Sequence, residues 1–365
     1  MPRTPRIMLV GMGGTIARTG TPGGGVAPGL TAAPLGGAVP GLAGAAAHRV
    51  VHDLRNRPGA ALTLDDLTDL AAFLDRQFRA GVAGAVVTQG TDTIEESAYV
   101  LDLLHSGPQP IVVTGALRNP TQAGPDGPAN LLAAVTVAAS PAARDLGCVV
   151  AFADEIHAAA RVRKTHTMSV AAFASPTGGA LGYLVEGRAR ILNRPARRYT
   201  LPAPATGRRA ARVGLYPATV GDDGDLLPAF AAGLDGLVVA GFGAGHVPET
   251  WVPHLAVAAR RIPVVLASRT GAGFVATGTY GFAGSERDLI GRGLIPAGML
   301  DPYKARILLH LLLTTGADPG AVRTAFAAAG AAGDPAEWTG ARVPTDQPGA
   351  AAAVAGDADR RRAGP

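Results

Sequence analysis

The chain has 365 residues, which is longer than one compact core usually requires and favours two domains. Apolar residues make up 47% of it and charged residues only 17%, a composition that excludes general disorder. The formal net charge is +5, but the arginines are scattered and aromatic residues are only 5%, so nucleic-acid binding is not expected.

Several features argue against a secreted or membrane protein. Met1 is followed almost directly by the apolar run 7–10, which leaves no room for a secretory signal. The longest apolar stretch, residues 131–139, is too short to span a bilayer. The single cysteine, Cys148, cannot form an internal disulfide and is expected in the core. We therefore predict a cytoplasmic protein that does not bind membranes.

Short apolar runs alternate with helical patterns in the first half of the chain, which is typical of βαβ units with a parallel sheet. The runs predict strands over residues 6–10, 84–88, 110–114 and 147–152. Between them, helices are predicted after Thr63 through about residue 79, from Thr93 to about 104, and from Pro128 to about 139. Thr63, followed by two aspartates, and Thr93, three residues before Glu96, are predicted to cap their helices.

Arginine and proline dominate residues 187–212, which predicts a solvated linker, although these charges also suit an acidic partner. Alternation resumes with predicted strands over residues 213–216, 236–240 and 263–267 and helices near 249–259 and 302–315. We predict an N-terminal catalytic domain over residues 1–190, a linker over 191–211, a C-terminal domain over 212–330 and a disordered tail over 331–365.

A glycine-rich turn, residues 11–17, follows the first predicted strand. It is not a dinucleotide fingerprint, because Ile16 stands at the third glycine position, and it lacks the Gly-Lys-Ser/Thr of a phosphate-binding loop. The hydroxyl of Thr15 among free backbone N–H groups suits a nucleophile beside an oxyanion hole. A glycine turn in which Thr15 only caps the next helix is the alternative.

A second turn, residues 87–97, also follows a predicted strand and places Thr91 and Asp92 at the same edge of the sheet. An aspartate near a helix N-terminus stays ionised and can bind an ammonium group. The alternative is that Asp92 only caps its helix.

Only two of the 33 basic residues are lysines, Lys164 and Lys304. Arginine stays protonated, whereas a partly buried lysine can lose its proton and activate a hydroxyl, so Lys164 is a candidate base. An exposed lysine at a basic turn is the alternative.

Together these motifs resemble the bacterial-type L-asparaginase family, the asparaginase/glutaminase amidohydrolases. The resemblance covers roughly residues 6 to 330 and is carried by segments 13–17, 90–93, 114–118, 126–131, 164–165, 241–246 and 301–306. It implies an α/β fold, with a larger flavodoxin-like N-terminal domain built on a parallel sheet and a smaller α/β C-terminal domain.

The resemblance also implies roles for particular residues. Thr15 would attack the amide carbon and form an acyl-enzyme, while Thr91 would hydrogen-bond Lys164, the proton acceptor. Asp92 would hold the α-amino group of the substrate. Glu286 would reach the site of a neighbouring subunit in a homodimer or homotetramer. The turns at Gly14 and Gly90 would contact the substrate, and no metal or cofactor is implied.

Three departures from the family pattern concern the substrate. Residues 1–98 contain no tyrosine, although the family has one on a mobile lid, and His246 stands where the family has an asparagine. Gly59 and Ala60 replace the serine–glutamine pair that binds the α-carboxylate, and loss of the hydroxyl should cost about 1.5–3 kcal/mol. An arginine among residues 55–57 could compensate with a bidentate contact.

We predict hydrolysis of L-asparagine to L-aspartate and ammonia. The alternatives are an amidase of the same family for a larger asparagine- or glutamine-like amide and an inactive ligand-binding homologue. A metal is not expected at His48 and His52, because a strand would hold their rings about 13 Å apart.

Overall fold

A computed structural model describes residues 5–13, 18–20, 26–28, 49–195, 198–205 and 207–331. An eight-stranded sheet forms the centre of the amino-terminal half. The strands of this half are β1 (Ile7–Gly11), β2 (Arg18–Gly20), β3 (Val26–Pro28), β4 (Arg49–Asp53), β5 (Gly84–Thr88), β6 (Ile111–Thr114), β7 (Cys148–Phe152), β8 (Glu155–Ala158), β9 (Arg163–Lys164), β10 (Phe173–Ala174), β11 (Gly182–Val185) and β12 (Arg188–Ile191).

The large sheet has the order β12-β11-β8-β7-β6-β5-β1-β4. The five strands from β7 to β4 are parallel, and β8, β11 and β12 extend the sheet with antiparallel pairing. The four strands predicted from apolar runs are confirmed to within one residue as β1, β5, β6 and β7. Strand β4 confirms the extended segment predicted around His52, whose ring stacks on Phe73 at 4.7 Å; His48 lies outside the described residues.

Helices cover both faces of this sheet: α1 (Leu64–Arg79), α2 (Ile94–Leu104) and α3 (Gly127–Ala139). Alternate side chains of β1 point to opposite faces of the sheet. Ile7 and Leu9 pack with α3 on one face, while Met8 and Val10 pack with α1 and α2 on the other. A strand buried on both faces explains why the parallel strands are continuous apolar runs. Cys148, at the start of β7, is buried as predicted.

The start of α1 confirms the predicted cap at Thr63. Its hydroxyl accepts a hydrogen bond from the Asp66 backbone N–H at 3.1 Å, and the Asp66 carboxylate accepts one from the Thr63 backbone N–H at 3.1 Å. The predicted helix face, which includes Leu67, Leu70 and Leu74, is buried. Pro128 lies in the first turn of α3, as predicted.

The predicted side-chain cap at Thr93 is wrong, although α2 itself is confirmed. No cap hydrogen bond from Thr93 to its helix is present. The Thr93 hydroxyl instead donates to the Gly59 carbonyl at 3.1 Å and accepts a hydrogen bond from the Gln89 side-chain amide at 3.3 Å. The Thr93 hydroxyl therefore bonds to residues that precede the helix instead of capping it. A 3-10 turn, Thr91–Thr93, leads into the helix.

A four-stranded parallel sheet forms the carboxyl-terminal domain, in the order β13-β14-β15-β16. Its elements are β13 (Val213–Pro217), α4 (Leu227–Ala231), β14 (Gly236–Gly241), α5 (Val252–Ala259), β15 (Val264–Ser268), α6 (Glu286–Gly291), β16 (Ile295–Pro296), α7 (Pro302–Thr315) and α8 (Pro319–Gly330). The three strands and two helices predicted here are confirmed, the first helix beginning as a 3-10 turn, Glu249–Trp251.

The arginine-rich segment is not simply a solvated connector, which corrects the prediction for residues 187–212. Its first part, Arg188–Ile191, pairs with β11 as the edge strand β12. Farther on, the Arg198 guanidinium contacts the carboxylate of Asp102 at 3.1 Å, and both side chains are largely buried. The division at residues 190 and 212 stays a prediction, and the tail beyond residue 331 lies outside the described residues.

Helices α2 and α7 join the two domains through one apolar cluster. Tyr99 and Leu103 of α2 belong to the same buried group as Leu308 and Leu311 of α7. Within the described ranges, no helix is both long and apolar enough to cross a membrane.

Candidate active site

Turns at the carboxyl-terminal edge of the large sheet bring the predicted motifs together. The chain passes from β1 to β4 on one side and then to β5 on the other side of β1, so the strand order reverses at β1. Open α/β sheets bind ligands at such a reversal. The turns after β1 and β5 contain the first two predicted motifs.

The turn after β1 lies tightly against the segment before α1. Gly13 has a φ of +100°, and a Cβ at this position would lie 2.6 Å from the Arg57 carbonyl oxygen. Met12 donates its backbone N–H to the Thr88 carbonyl at 2.9 Å, which ties the turn to β5. Glycine is required at position 13 by this close approach and by the left-handed backbone. Gly14 and Thr15 lie outside the described residues.

Lys164 lies against the turn after β5. Its Nζ donates to the Thr91 hydroxyl at 3.0 Å and contacts Asp92 Oδ1 at 3.3 Å. Thr91 is buried, while the Asp92 side chain is 63% exposed and that of Lys164 is 16% exposed. Among the described residues, the hydrogen-bond partner of the Asp92 carboxylate is Lys164. Three of the four predicted catalytic residues therefore meet.

A buried carboxylate that the sequence reasoning missed holds the backbone of Lys164. Glu95 Oε2 accepts a hydrogen bond from the Lys164 backbone N–H at 2.9 Å and lies 4.0 Å from Arg163 Nε. Burial raises the pKa of the Glu95 carboxyl, and the nearby charge of Lys304 opposes this only in part. Glu95 lies one turn after Thr91, so the same helix start places Thr91 and anchors the strand of Lys164.

The second lysine, Lys304, supports that strand from behind. Its side chain is fully buried, with Nζ 2.7 Å from Asp301 Oδ2 and 2.7 Å from the Val162 carbonyl oxygen. Asp301 also caps α7. Burial opposes ionisation of Asp301, but the charge and hydrogen bonds of Lys304 outweigh it and keep the pKa of that carboxyl below its ordinary value. Lys304 thereby ties α7 to the chain two residues before Lys164.

The predicted carboxylate-binding positions offer no polar side chain. Gly59 is buried in a 3-10 turn, Gly59–Ala61, and a Cβ on it would lie 3.0 Å from the Gly90 carbonyl oxygen. Ala60 is exposed and carries only a methyl group. Gly59 thus packs directly against Gly90 of the turn after β5.

The suggested compensation by an arginine is not supported by the contacts. Arg55 Nε lies 2.7 Å from Asp66 Oδ1, and Arg57 Nη1 lies 3.2 Å from Asp66 Oδ2. Burial disfavours the charged form of Asp66, but hydrogen bonds from Arg55 and Thr63 and the charge of Arg57 hold the pKa of its carboxyl below the ordinary value. These contacts direct both guanidinium groups toward the start of α1, although the side chain of Arg57 is 51% exposed.

A third turn, after β6, is shaped by two residues whose roles the sequence did not reveal. The Asp126 carboxylate accepts backbone N–H groups from Leu117 at 3.0 Å and Arg118 at 2.8 Å. Asn130 donates to the Gly115 carbonyl at 3.1 Å and accepts from the Ala153 N–H at 3.0 Å. Both residues belong to segment 126–131, which contributed to the family resemblance, but their hydrogen bonds were not predicted.

Glu286 lies apart from this group, in the carboxyl-terminal domain. It is fully buried; Oε1 accepts the backbone N–H groups of Thr279 and Tyr280 at 2.7 Å, and Oε2 lies 3.2 Å from His246 Nε2. The His246 ring packs edge-on against Tyr280 and Phe282. No contact joins Glu286 to Thr91, Asp92 or Lys164 among the described residues of this chain.

Over the described ranges, no group of three or more histidine, cysteine, aspartate or glutamate side chains is placed to hold a metal ion.

Comparison with known proteins agrees with the resemblance of the motifs. Residues 6–197 match the family Asparaginase, N-terminal, and residues 212–326 match the Glutaminase/Asparaginase C-terminal domain. A probable L-asparaginase of Deinococcus radiodurans is 37% identical over 325 residues, covering 88% of this chain and 97% of that protein. A probable periplasmic L-asparaginase of Haemophilus influenzae is 37% identical over 247 residues, covering 67% of this chain and 69% of that protein.

A solved structure supports the same assignment. The crystal structure of a probable cytoplasmic L-asparaginase from Campylobacter jejuni superposes with a TM-score of 0.78 at 34% identity, covering 88% of this chain and 99% of that one. Both the predicted larger α/β domain with a parallel sheet and the smaller α/β domain are confirmed. The chain therefore belongs to the bacterial-type L-asparaginase family of amide hydrolases.

Proposed function

We propose that the protein hydrolyses the side-chain amide of L-asparagine to L-aspartate and ammonia. The observation that supports this most directly is the contact of Lys164 Nζ with the Thr91 hydroxyl at 3.0 Å and with Asp92 at 3.3 Å, at the ligand-binding edge of the sheet. A lysine that shares a hydrogen bond with a buried hydroxyl is placed to take a proton through it.

In the proposed reaction, the Thr15 hydroxyl attacks the amide carbon. Its proton passes through Thr91 to Lys164 and then to the leaving nitrogen, so that the C–N bond breaks and ammonia departs. Water hydrolyses the resulting ester, which releases aspartate and restores Thr15. Asp92 holds the substrate ammonium, and Gly14 and Gly90 contact the substrate. No metal or cofactor takes part.

A second candidate is a larger asparagine- or glutamine-like amide. Gly59 and Ala60 offer no side-chain donor to an α-carboxylate, and the nearby Arg55 and Arg57 are engaged by Asp66. A substrate without a free α-carboxylate would not need the missing donor.

The assembly that we propose is a homodimer or homotetramer in which Glu286 and its neighbours help to complete the site of another subunit. The aromatic rings around His246 support this, because Tyr280 and Phe282 are 44% and 51% exposed in the single chain. We propose the cytoplasm as the location, as in the name of the Campylobacter relative.

Ammonia release from L-asparagine, L-glutamine and larger amides tests the substrate. Thr15→Ala is expected to abolish release from every substrate, and intact mass after mixing should show an acyl adduct only on the chain that retains Thr15. Turnover that survives Thr15→Ala would contradict the mechanism. A folded chain that binds amides but releases no ammonia would support the inactive homologue instead.

A further inference from the structure

A cavity of about 370 Å³ lies between the amino-terminal turns of α1 and α2 and the side of α7. We call it the interhelix cavity; its wall includes Leu62, Leu64, Thr93, Glu96, Ser97 and Arg306. Thr93 borders it, but none of Thr91, Asp92 and Lys164 does. The interhelix cavity is therefore adjacent to the proposed amidase site and separate from it.

The wall of the interhelix cavity carries charges of both signs. Arg306 Nε donates a hydrogen bond to the Val213 carbonyl at 3.0 Å. The other two guanidinium nitrogens of Arg306 have no hydrogen-bond partner in the part of the chain that the structure describes. Burial raises the pKa of the Glu96 carboxyl and the charge of Arg306 opposes this, which places the two groups in one electrostatic environment. Nevertheless, no ion pair joins them among the described residues.

A buried hydroxyl in the same wall lacks a partner. Ser97 is fully buried, and its Oγ has no hydrogen bond within the described ranges. Leaving such a group unpaired is unfavourable, so most buried hydroxyls are hydrogen-bonded to protein, water or ligand. Near the start of α1 the wall is mixed: Leu62 and Leu64 are partly buried and Leu67 is almost fully buried, while Thr63 and Asp65 are exposed.

We propose that the interhelix cavity binds an α-amino acid with an apolar side chain in its zwitterionic form. The Arg306 guanidinium receives the carboxylate, Glu96 receives the ammonium group, and the Ser97 hydroxyl completes the polar contacts. Leu62, Leu64 and Leu67 contact the side chain. Opposite charges that face one cavity without pairing match a ligand that carries both charges. This site goes beyond the proposed hydrolysis and does not depend on it.

Calorimetric titration of the full chain with L-leucine at pH 7 tests the site, because leucine has no side-chain amide to hydrolyse. We expect one site per chain, and at least about tenfold weaker binding of 4-methylpentanoate and 3-methylbutylamine, each of which lacks one of the two charges. Equal binding of either analogue would overturn the proposal, as would the absence of leucine binding.

Substitutions in the wall of the interhelix cavity test whether leucine binds there. Glu96→Gln and Arg306→Gln should each weaken leucine binding at least about tenfold, since each removes a charge-assisted hydrogen bond. Ser97→Ala should weaken it several-fold. Arg209→Gln, which removes an exposed arginine paired with Asp235 elsewhere, is the matched control and should leave binding unchanged.

Thr91→Val separates this proposal from the amidase site. Leucine binding should persist in Thr91→Val and be lost in Glu96→Gln, with thermal unfolding used to verify that both variants are folded. If leucine binding were lost in Thr91→Val but unchanged in Glu96→Gln, leucine would bind in the amidase site and the proposal would be overturned. Because heat of binding is the readout, the result is independent of ammonia release.

Discussion

The two lysines of this chain lie in neighbouring segments but in opposite environments. Lys164 retains some exposure and faces a hydroxyl and a mostly exposed carboxylate, Asp92. Lys304 is fully buried and held by Asp301 and a backbone carbonyl, both at 2.7 Å. Of the two, Lys164 has a hydroxyl among its partners, whereas Lys304 contacts a carboxylate and a backbone carbonyl.

The difference shows why residue type alone does not identify a base. A buried ion pair in which every charge has a partner fixes geometry, and removing one member leaves the other charged and unpaired. A partly exposed lysine with a hydroxyl as its main partner is instead placed to exchange a proton during a reaction. We therefore assign chemistry to Lys164 and support to Lys304.

The largest expected effect comes from Lys164→Met, which removes the proposed proton acceptor. Its kcat for ammonia release should fall by about 10²–10⁴-fold, the usual contribution of a positioned base, while thermal unfolding changes little. Lys164→Arg is the sharper control, because it keeps the positive charge without a usable base. Near-normal kcat in Lys164→Arg would show that only the charge matters.

Lys304→Met should act on stability instead. It leaves the Asp301 carboxylate buried without its partner, so the free energy of unfolding should fall by about 3–5 kcal/mol in denaturant titrations at pH 7. The double variant Lys304→Met/Asp301→Asn should recover part of that loss, since Asn can still cap α7 and carries no charge. An unchanged free energy of unfolding in Lys304→Met would contradict the role assigned to this pair.

Glu95→Gln should produce the smallest change, and its effect on the free energy of unfolding should depend on pH. The native pKa of Glu95 is raised by burial, so ionisation costs stability above that pKa and costs nothing below the unfolded value of about 4.3. The variant should therefore gain stability relative to the parent as pH rises from 4 toward 7. The amide oxygen of glutamine can still accept the Lys164 N–H, so kcat should change less than in Lys164→Met.

Unfolding free energies of both chains between pH 4 and 7 measure this difference. If Glu95→Gln instead loses stability relative to the parent as pH rises, ionised Glu95 stabilises the native chain and the expectation is wrong.

Much of the fold could be predicted from local patterns. Continuous apolar runs identified β1, β5, β6 and β7, because strands buried on both faces tolerate few polar residues. The short antiparallel strands β8, β11 and β12 were missed. The exposed positions of β12 are Arg188 and Arg190, and β8 combines Glu155 with the buried His157. Strand β12 obtains its partner from β11, and an arginine-rich run gives no local sign of that pairing.

The site was predictable only in part, for a related reason. Because lysine is rare in this chain, Lys164 was a candidate from its residue type, and the turn motif identified Thr91 and Asp92. The structure brings these three residues together. The roles of Glu95 and Lys304 depend on contacts across 69 and 142 residues of sequence, which no local pattern reveals. Thr93 was misassigned for the same reason, because its partner Gly59 lies 34 residues away.

The bond from Lys304 to the Val162 carbonyl has a consequence for the inheritance of this protein. Val162 belongs to the half of the chain that holds Thr91, Asp92 and Lys164, whereas Lys304 belongs to the other half. A gene fragment that encoded only the first half would retain those three residues but lose the support behind the strand of Lys164. Recombination that separated the gene segments for the two halves would therefore be selected against. We expect the two segments to be inherited as a single unit.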